Sequence, residues 1–342
     1  MTAAMLAGPP AGLWTLAWRR LRADRVAMLS LAVVAGFLLM LVLSAGGLVA
    51  ADWEDEVGVN YAPPGFVGAR AGGAPSPVPA ERAALPDNPF DPLADDIRAL
   101  KAQLAARGVA APEPGRRATL PFGGDKWGHD IIKKTIKGGE TSIVVGLAAA
   151  ALAVGIGTLF GALSGYWGGV VDDVFNWFYS IFTAIPSVLM ILAVAAVLQQ
   201  RGVVTIVLIL GLTGWTGPYR LIRAEYIKHK GREYVLAAHA IGASHWRKMF
   251  SHIFPNVSHV ALVQLSILVV GFIKAEVILS FLGFGVPVGV VSWGSMLNEA
   301  QNELILGRWW QLTAAALAMA VLVTAFSLLT DALRDALDPK VK

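Results

Sequence analysis

Long apolar stretches dominate this chain, and shorter polar segments separate them. Six stretches are long enough to cross a membrane as helices, which takes about 20 residues each. They cover residues 26–50, 142–166, 175–198, 203–221, 259–284 and 309–330. The first is longer than the apolar region of a signal peptide, so we expect it to remain as an anchor. The pattern predicts an all-α, polytopic membrane protein with six transmembrane helices.

The composition agrees with lipid as the solvent. Of the 342 residues, 56% are hydrophobic and only 15% are charged, whereas soluble domains carry about 25% charged residues. The chain has no cysteine, which excludes disulfides, thiolate metal sites and a cysteine nucleophile. The net charge of +4 is small, and no basic stripe interleaves with aromatic residues in a soluble segment. We therefore expect membrane lipid, and no nucleic acid, as a partner.

Basic residues mark the cytoplasmic side of the membrane. They cluster before the first stretch, at the end of the fourth or between it and the fifth, and after the sixth, at Arg19, Arg20, Arg22, Arg25, Arg220, Arg223, Lys228, Lys230, Arg232, Arg247, Lys248, Arg334, Lys340 and Lys342. The opposite short loops carry only Arg201 and Arg308. Because loops rich in Lys and Arg stay inside the cell, both termini are predicted to be cytoplasmic, in a bacterial inner membrane.

The same pattern divides the chain into three parts. Residues 1–50 are expected to form the cytoplasmic N-terminus and the first transmembrane helix, residues 51–141 a periplasmic insert, and residues 142–342 a core with five transmembrane helices. The insert is rich in proline and glycine, except for one short helix that Asp91 would cap and Gly108 would end. It is interpreted either as a decorated loop or as a docking element for a soluble partner.

Four glycines recur every fourth residue at the end of the second stretch. They are Gly157, Gly161, Gly165 and Gly169. This spacing places them on one helix face, where another backbone can approach closely. We expect them to pack within the chain, with a contact between subunits as the alternative.

The motifs of common enzymes are missing. The sequence contains no GxxxxGK[ST] phosphate loop, no HExxH and no GxSxG, which removes the commonest nucleotide-binding and hydrolase motifs. Its six histidines have no neighbours that complete a metal set. We therefore expect no catalytic residue, no bound cofactor and no metal site in this chain.

The cytoplasmic segment between the fourth and fifth stretches carries the most specific pattern. Within residues 222–256, the sequence predicts two short helices. The first begins at about Glu233 and stops at Gly242, a good residue for ending a helix. The second would be capped by Ser244 and closed by Pro255.

The spacing of small residues in this segment resembles a known motif. The pattern Glu233-x-x-x-Ala237-Ala238-x-x-x-Gly242, with Pro255 following, resembles the EAA loop of ABC importer permeases. Its fuller form, EYVxAAxxxGASxxR, is similar to the peptide and nickel importer class. Ala237 and Ala238 would leave a low surface that a partner can approach.

Other stretches resemble the same class. They are residues 124–130, 165–169, 279–285, 292–297 and 333–339. Together with the loop at 222–256, they cover most of the chain outside the insert. The resemblance implies the type I fold of ABC importer permeases, with the periplasmic insert placed between helices 1 and 2.

The resemblance also implies that this chain works as one subunit of a larger importer complex. A periplasmic binding protein would deliver peptides or similar small solutes, and a second permease subunit would complete the pathway. Two cytoplasmic ATPase subunits would bind ATP and hydrolyse it. The EAA-type coupling loop, residues 222–256, would contact an ATPase subunit through Glu233, Ala237, Ala238 and Gly242.

Two ionisable residues, Lys274 and Glu276, lie within the fifth stretch. They are about 200° apart around a helix, so they cannot pair on one face. Lys274 either extends its charge towards the membrane surface or faces the pathway or the second permease. Both residues are candidates for the pathway or the subunit interface. Alternative functions are a secondary transporter or channel without an ATPase, and a membrane assembly factor that moves nothing.

Overall fold

The computed structural model describes residues 13–68, 116–198, 200, 202–287 and 289–337, together with positions 99 and 103. In this part of the chain, eleven helices are accompanied only by isolated β-bridges, so the all-α prediction is confirmed there. The helix predicted between Asp91 and Gly108 lies outside the described residues, apart from Ala99 and Gln103, which are both helical.

Most of the helices lie along the predicted apolar stretches, with the differences given below. They are α1 (Leu13–Ala23), α2 (Arg25–Ala45), α3 (Ile131–Trp167), α4 (Gly169–Ala184), α5 (Ser187–Leu198), α6 (Val203–Thr213), α7 (Thr216–Lys230), α8 (Glu233–Ala240), α9 (His245–Phe281), α10 (Trp293–Ile305) and α11 (Trp310–Leu337). α3 lies at the centre and packs against α2, α6, α7, α9 and α11.

Four of the described helices are long and apolar enough to cross a membrane, namely α2, α3, α9 and α11. α4 and α5 together would make a fifth span, but they are bent by 88°. The bend follows from Pro186, because a residue before proline is driven into the extended conformation, and Ile185 is extended. The prediction of six transmembrane helices is therefore not confirmed by the helix lengths.

The fourth apolar stretch is divided into two helices. α6 ends at Thr213, and α7 begins at Thr216. The ring of Phe272 on α9 occupies the space that a side chain at Gly214 would need. Gly214 thus allows the break between the helices to pack directly on α9.

α3 begins before the apolar stretch that predicts it. Asp130 caps this helix by accepting a hydrogen bond from the backbone N–H of Ile132 at 2.8 Å, and the helix runs for 37 residues. Residues 131–141, assigned to the insert by the apolar pattern, are therefore helical. Their polar side chains find partners elsewhere in the fold, as described below.

The helix that follows Gly242 does not end at Pro255. α9 extends for 37 residues from His245 to Phe281, with a π-helical turn over Lys248–Ile253 just before the proline. Proline lacks an N–H group and crowds the carbonyl four residues earlier, and the wider π turn accommodates both effects. The prediction that Pro255 closes this helix is wrong.

The glycine series of α3 packs within the chain. A Cβ atom at Gly157, Gly161 or Gly165 would lie 2.6–2.8 Å from a backbone oxygen of the α7 region. These oxygens belong to Trp215, Tyr219 and Arg223. The two helices therefore touch through their backbones over three turns, which confirms packing inside the chain. Gly169 differs, since it begins α4 with a φ of +53° and has open space around it.

Candidate functional site

The EAA-type coupling loop contains a short exposed helix with a defined end. α8 spans Glu233–Ala240, and Gly242 follows with a φ of +83°, a conformation that glycine adopts without strain. The N–H of Gly242 donates to the carbonyl of His239, and that of Ala243 to Ala238, both at 3.0 Å. This pair of bonds is the Schellman arrangement that ends helices at glycine. The prediction for Gly242 as the stop is confirmed.

The four predicted contact residues do not share one surface. Glu233, Ala237 and Gly242 are exposed, whereas Ala238 is buried. α8 packs against the π turn of α9, and the small size of Ala238 permits this close approach. The structure therefore gives Ala238 a role inside the loop.

Large apolar side chains on α8 and just after it are also exposed. Ile241 is 83% exposed, and Leu236 and Trp246 are each 56% exposed. The Trp246 ring also stacks on Phe250, with ring centres 5.7 Å apart. Exposed apolar groups of this size commonly mark an interaction surface. We name Leu236, Ile241, Trp246 and Phe250 the apolar collar; sequence periodicity did not identify it.

Hydrogen bonds hold the start of α9 on the core of the fold. The hydroxyl of Tyr226 on α7 donates to the carbonyl of Met249 at 3.1 Å. Burial, with a smaller effect from Tyr234, raises the pKa of Tyr226, which keeps this hydroxyl protonated. Tyr166 at the end of α3 bonds His245 at 2.9 Å. The coupling loop is thus fixed to both α3 and α7.

An ion pair joins α4 to the same region. Arg223 on α7 donates two hydrogen bonds of 2.6 Å to the two carboxylate oxygens of Asp172. Ser164 on α3 also donates to Asp172, and Tyr219 lies 3.1 Å from Ser164. Sequence reasoning missed this pair because the two residues are 51 positions apart.

Lys274 and Glu276 lie in different environments on α9. Lys274 is exposed, on a face that it shares with Ile267 and Ile278. Glu276 is fully buried and accepts hydrogen bonds of 2.6 Å from Ser142 and Ser280. The expectation that the two cannot pair on one face agrees with this geometry. Only Lys274 has a surface that a pathway or another subunit could reach.

The Glu276 contacts also fix the start of α10. Ser142 on α3 accepts a hydrogen bond from the backbone N–H of Trp293 at 3.2 Å. Ser292 caps α10 through reciprocal bonds with Ser295. Glu276 therefore belongs to a buried polar junction of α3, α9 and α10 and serves the packing of these helices.

A second polar cluster lies at the opposite end of the fold from the coupling loop. The buried ammonium of Lys134 contacts Asp125 and Glu299 at 2.7 Å each, and Gln311 at 3.4 Å. Glu303 is 3% exposed, and neither of its carboxylate oxygens has a hydrogen-bond partner. We call these five residues the Lys134 cluster. The aspartate in the 124–130 motif was its only sequence signal.

The cluster shifts two carboxyl pKa values in opposite directions. Burial would raise the pKa of Asp125, but the charge and hydrogen bond of Lys134, the charge of His129 and the backbone N–H of Trp127 together lower it. For Glu303, burial raises the pKa to about 7, and the charges of Asp125 and Glu299 add to this while Lys134 opposes it. The ammonium of Lys134 bonds Asp125 and Glu299, whereas Glu303 is left without a hydrogen bond.

Comparison with known families matches most of this architecture. The model described as "Binding-protein-dependent transport system inner membrane component" matches residues 157–342. The chain belongs to this permease family. A second model, for the N-terminal TM domain of oligopeptide transport permease C, matches residues 12–64. The coupling loop, the Asp172–Arg223 pair and Lys274 all fall within the first match.

Several relatives of the permease carry names of peptide transporters. The oligopeptide transport system permease protein OppC of Bacillus subtilis is 38% identical over 221 residues, covering 65% of this chain and 72% of that protein. The dipeptide permease DppC of the same organism is 35% identical over 221 residues, with 65% and 69% covered. OppC of Haemophilus influenzae is 34% identical over 219 residues, with 64% and 70% covered.

Family membership decides among the functions considered from the sequence. The permease is a multi-pass inner-membrane subunit of an ABC importer and not an enzyme. It works in a membrane-embedded complex with other permease and ATPase partners. A secondary transporter, a channel and an assembly factor are therefore set aside.

Proposed function

We propose that this permease and a second permease subunit form a pathway for peptides or similar small solutes. A periplasmic binding protein delivers the solute, and two cytoplasmic ATPase subunits bind and hydrolyse the ATP that drives transport. The names of the relatives support the solute class. The observation that carries the mechanism is the continuity of α9, which starts in the coupling loop and continues into a membrane span.

The proposed topology has six crossings and cytoplasmic termini. α2, α3, α9 and α11 each cross once, while α4 with α5 and α6 with α7 each provide one broken crossing. The basic residues around α1, α7 and the start of α9 support a cytoplasmic location for these segments. The Lys134 cluster and residues 46–68 then lie on the periplasmic side.

In this arrangement, the coupling loop transmits ATPase closure as a rigid movement. Glu233, Ala237 and Gly242 face the ATPase subunit, and the apolar collar enters its groove. Large apolar side chains at the centre of an interface commonly carry most of its binding energy. Because the loop is bonded to α7 and continues as α9, a displacement of α8 moves both helices.

The sharpest test substitutes Ile241 by aspartate. Ile241 is 83% exposed, so the change costs little packing within the permease. We expect at least a tenfold loss of ATPase affinity, corresponding to about 1.4 kcal/mol, and loss of solute-stimulated ATP hydrolysis. Ile305→Asp is the matched control, since Ile305 is also 83% exposed but lies in α10. Normal ATPase binding by Ile241→Asp would refute the proposed contact.

Lys274 is proposed to line the pathway or to meet the second permease. Its exposed position on a membrane helix supports this, because a charge at the lipid-facing centre of a span is costly. Lys274→Met should preserve assembly and reduce transport, while Lys274→Arg should retain transport. Unchanged uptake by Lys274→Met in reconstituted vesicles would contradict this role. It would mean that the side chain only extends its charge towards the membrane surface.

The insert is proposed to modulate docking of the binding protein without forming the pathway. Its first residues have a packing role, since Phe66 contacts the rings of Phe122 and Trp309. A deletion should therefore begin after Gly68, and removal of residues 69–115 is the appropriate variant. We expect normal membrane insertion and weaker capture of the loaded binding protein.

A further inference from the structure

Two of the apolar segments are interrupted, and their interruptions lie side by side. The first break separates α4 from α5 just before Pro186, and the second separates α6 from α7 at Gly214 and Trp215. The indole ring of Trp215 joins them. It stacks on Phe178 and meets Phe182 edge-on, with ring centres 5.4 Å apart in each contact. The two breaks therefore belong to one region of the fold.

This region lies near the middle of the membrane in the topology proposed above. The carbonyl of Trp215 faces Gly157 of α3, where a Cβ atom would lie 2.6 Å from its oxygen. From Gly157 to the cytoplasmic end of α3 at Trp167 is about 15 Å, at 1.5 Å per residue. Because the hydrocarbon core is about 30 Å thick, the breaks lie about half-way through it.

The breaks leave backbone groups without hydrogen-bond partners among the described residues. At the first break, the carbonyls of Phe182 and Thr183 accept no hydrogen bond, and Pro186 has no N–H to offer. At the second, the N–H groups of Thr216 and Gly217 donate none. Gly217 is exposed, and a glycine has only its backbone to expose. Irregular backbone at this depth is tolerated only against protein or water.

A polar strip on α9 continues from the second break. The side-chain amide of Gln264 lies beside Gly217, with its oxygen 3.6 Å from the position of a Cβ atom there. Gln264 is half-buried and has no hydrogen-bond partner in the described part of the chain. On the same helix face, a Cβ atom at Gly271 would meet no atom within 4 Å, and Lys274 is exposed. The strip therefore leads from the second break to Lys274.

The chemistry of this region argues against lipid or a second transmembrane helix as its cover. Lipid chains offer no hydrogen bonds, and the backbone of an unbroken helix is already bonded internally. Such a helix could offer only side chains to two breaks and a polar strip. Water supplies donors and acceptors together, and the main chain of a peptide carries both an N–H and a C=O at most residues.

We propose that the two breaks and Gln264 face the solute pathway, where they are hydrated and bond the main chain of the transported peptide. This inference rests on the function proposed above. Discontinuous helices form solute sites near the midplane in other membrane transporters. Because main-chain groups are common to all peptides, the site holds a peptide without selecting its side chains. It also assigns Lys274 to the pathway and not to the subunit interface.

The absence of cysteine from this chain allows a direct test with single thiols. Gly217→Cys and Ser187→Cys each place a thiol at an exposed position beside one break. Ala35→Cys is the matched control, since Ala35 is exposed near the centre of the continuous helix α2. The nucleotide-free importer complex in lipid nanodiscs is treated with a charged, membrane-impermeant thiosulfonate, and the intact mass of the permease reports the modification.

Both break variants should react about tenfold faster than Ala35→Cys or more, because a reactive thiolate forms only where water reaches it. Unfolding in detergent should make the three thiols equally reactive. Equal rates in the folded complex would overturn the proposal, since lipid or the second permease would then cover the breaks. Fast labelling without peptide uptake by the wild type would instead contradict the peptide function and leave the breaks facing water.

A second variant tests the contact with the peptide. Gln264→Leu should raise the peptide concentration for half-maximal uptake several-fold, with normal assembly and unchanged ATP hydrolysis in the absence of solute. Ile267→Leu, on the same face of α9, keeps an apolar side chain of similar size and should transport normally. Unchanged uptake by Gln264→Leu would remove the amide from the peptide contact.

Discussion

Replacing Glu303 by glutamine is expected to remove a pH-dependent part of the stability of the permease. Glu303 is buried, and burial, reinforced by Asp125 and Glu299, raises its pKa to about 7 from the ordinary 4.5. In the unfolded chain the carboxyl returns to water and ionises near its ordinary pKa. Between these two values, the folded protein holds a proton that the unfolded chain has released.

This pKa difference sets the sign and the size of the effect. The contribution to the free energy of unfolding is fully present below the unfolded pKa, declines as the pH rises, and is lost above the folded pKa. A difference of about 2.5 between the two pKa values, at about 1.36 kcal/mol for each pH unit, amounts to about 3 kcal/mol. About 2 kcal/mol of this falls between about pH 5.5 and about pH 8.

Other groups also titrate in this range, so the comparison must be with a variant. Burial lowers the pKa of His229, which stabilises the folded state as the pH rises towards 6.5 and opposes the effect of Glu303. His229 is present in both the wild type and Glu303→Gln. Its contribution therefore cancels when the pH dependence of one protein is subtracted from that of the other.

The assay is thermal unfolding of the purified complex in detergent at several pH values. The wild type should lose about 2 kcal/mol more stability than Glu303→Gln between about pH 5.5 and about pH 8. Glu54→Gln, which makes the same substitution at an exposed carboxyl on the same side, is the matched control. Equal pH dependence in the wild type and Glu303→Gln would refute the reasoning.

Two further predictions concern the packing of α3, α4 and α7. Gly161→Leu should destabilise the permease by about 3 kcal/mol, because the added side chain collides with the α7 backbone; Gly155→Leu, where a Cβ meets no atom within 4 Å, should leave the melting temperature nearly unchanged. A double-mutant cycle of Asp172→Asn with Arg223→Gln should give a coupling energy of about 1 kcal/mol or more, and additive effects would show that the ion pair contributes nothing.

Local signals in the sequence predicted local structure well. The end of α8 at Gly242 depends on a few neighbouring residues, whose glycine and capping preferences act within one turn. Helical spacing alone placed Gly157, Gly161 and Gly165 on one face suited to close packing, while their partner α7 was identified only by the structure. In both cases, the predicted feature depends on residues that are close together in the sequence.

The failures have causes that lie far away in the sequence. The start of α3 looked polar because Lys134 and Glu140 interrupt the apolar pattern, but their partners come from Asp125, Glu299 and Ser44. A hydropathy profile is built from the values of single residues, so it contains no information on whether a charged side chain is paired in the fold. The Lys134 cluster was missed for the same reason, since its members come from a loop and three helices.

Pro255 shows how tertiary packing overrides a local rule. A proline normally ends or kinks a helix, yet here the preceding π turn is held in place by bonds from other elements. Met249 accepts from Tyr226, and Lys248 contacts His239 at 3.0 Å. Neither contact can be inferred from the residues next to Pro255. The helix therefore continues where the local sequence predicts a stop.

The same contacts determine which helices should move with the coupling loop. The π turn is bonded to α7 through Tyr226 and to α8 through Lys248, so α7, α8 and the start of α9 form one body. α4 has no fully buried residue and is attached to this body through Asp172 and Arg223. α4 also packs on the α7 region through aromatic rings, with Phe178 stacked on Trp215 and Tyr179 beside Tyr219. It should therefore follow α7 when the loop is displaced. A displacement of α8 would then reach the membrane core through α7 and α9, and would reach α4 through the ion pair and these ring contacts.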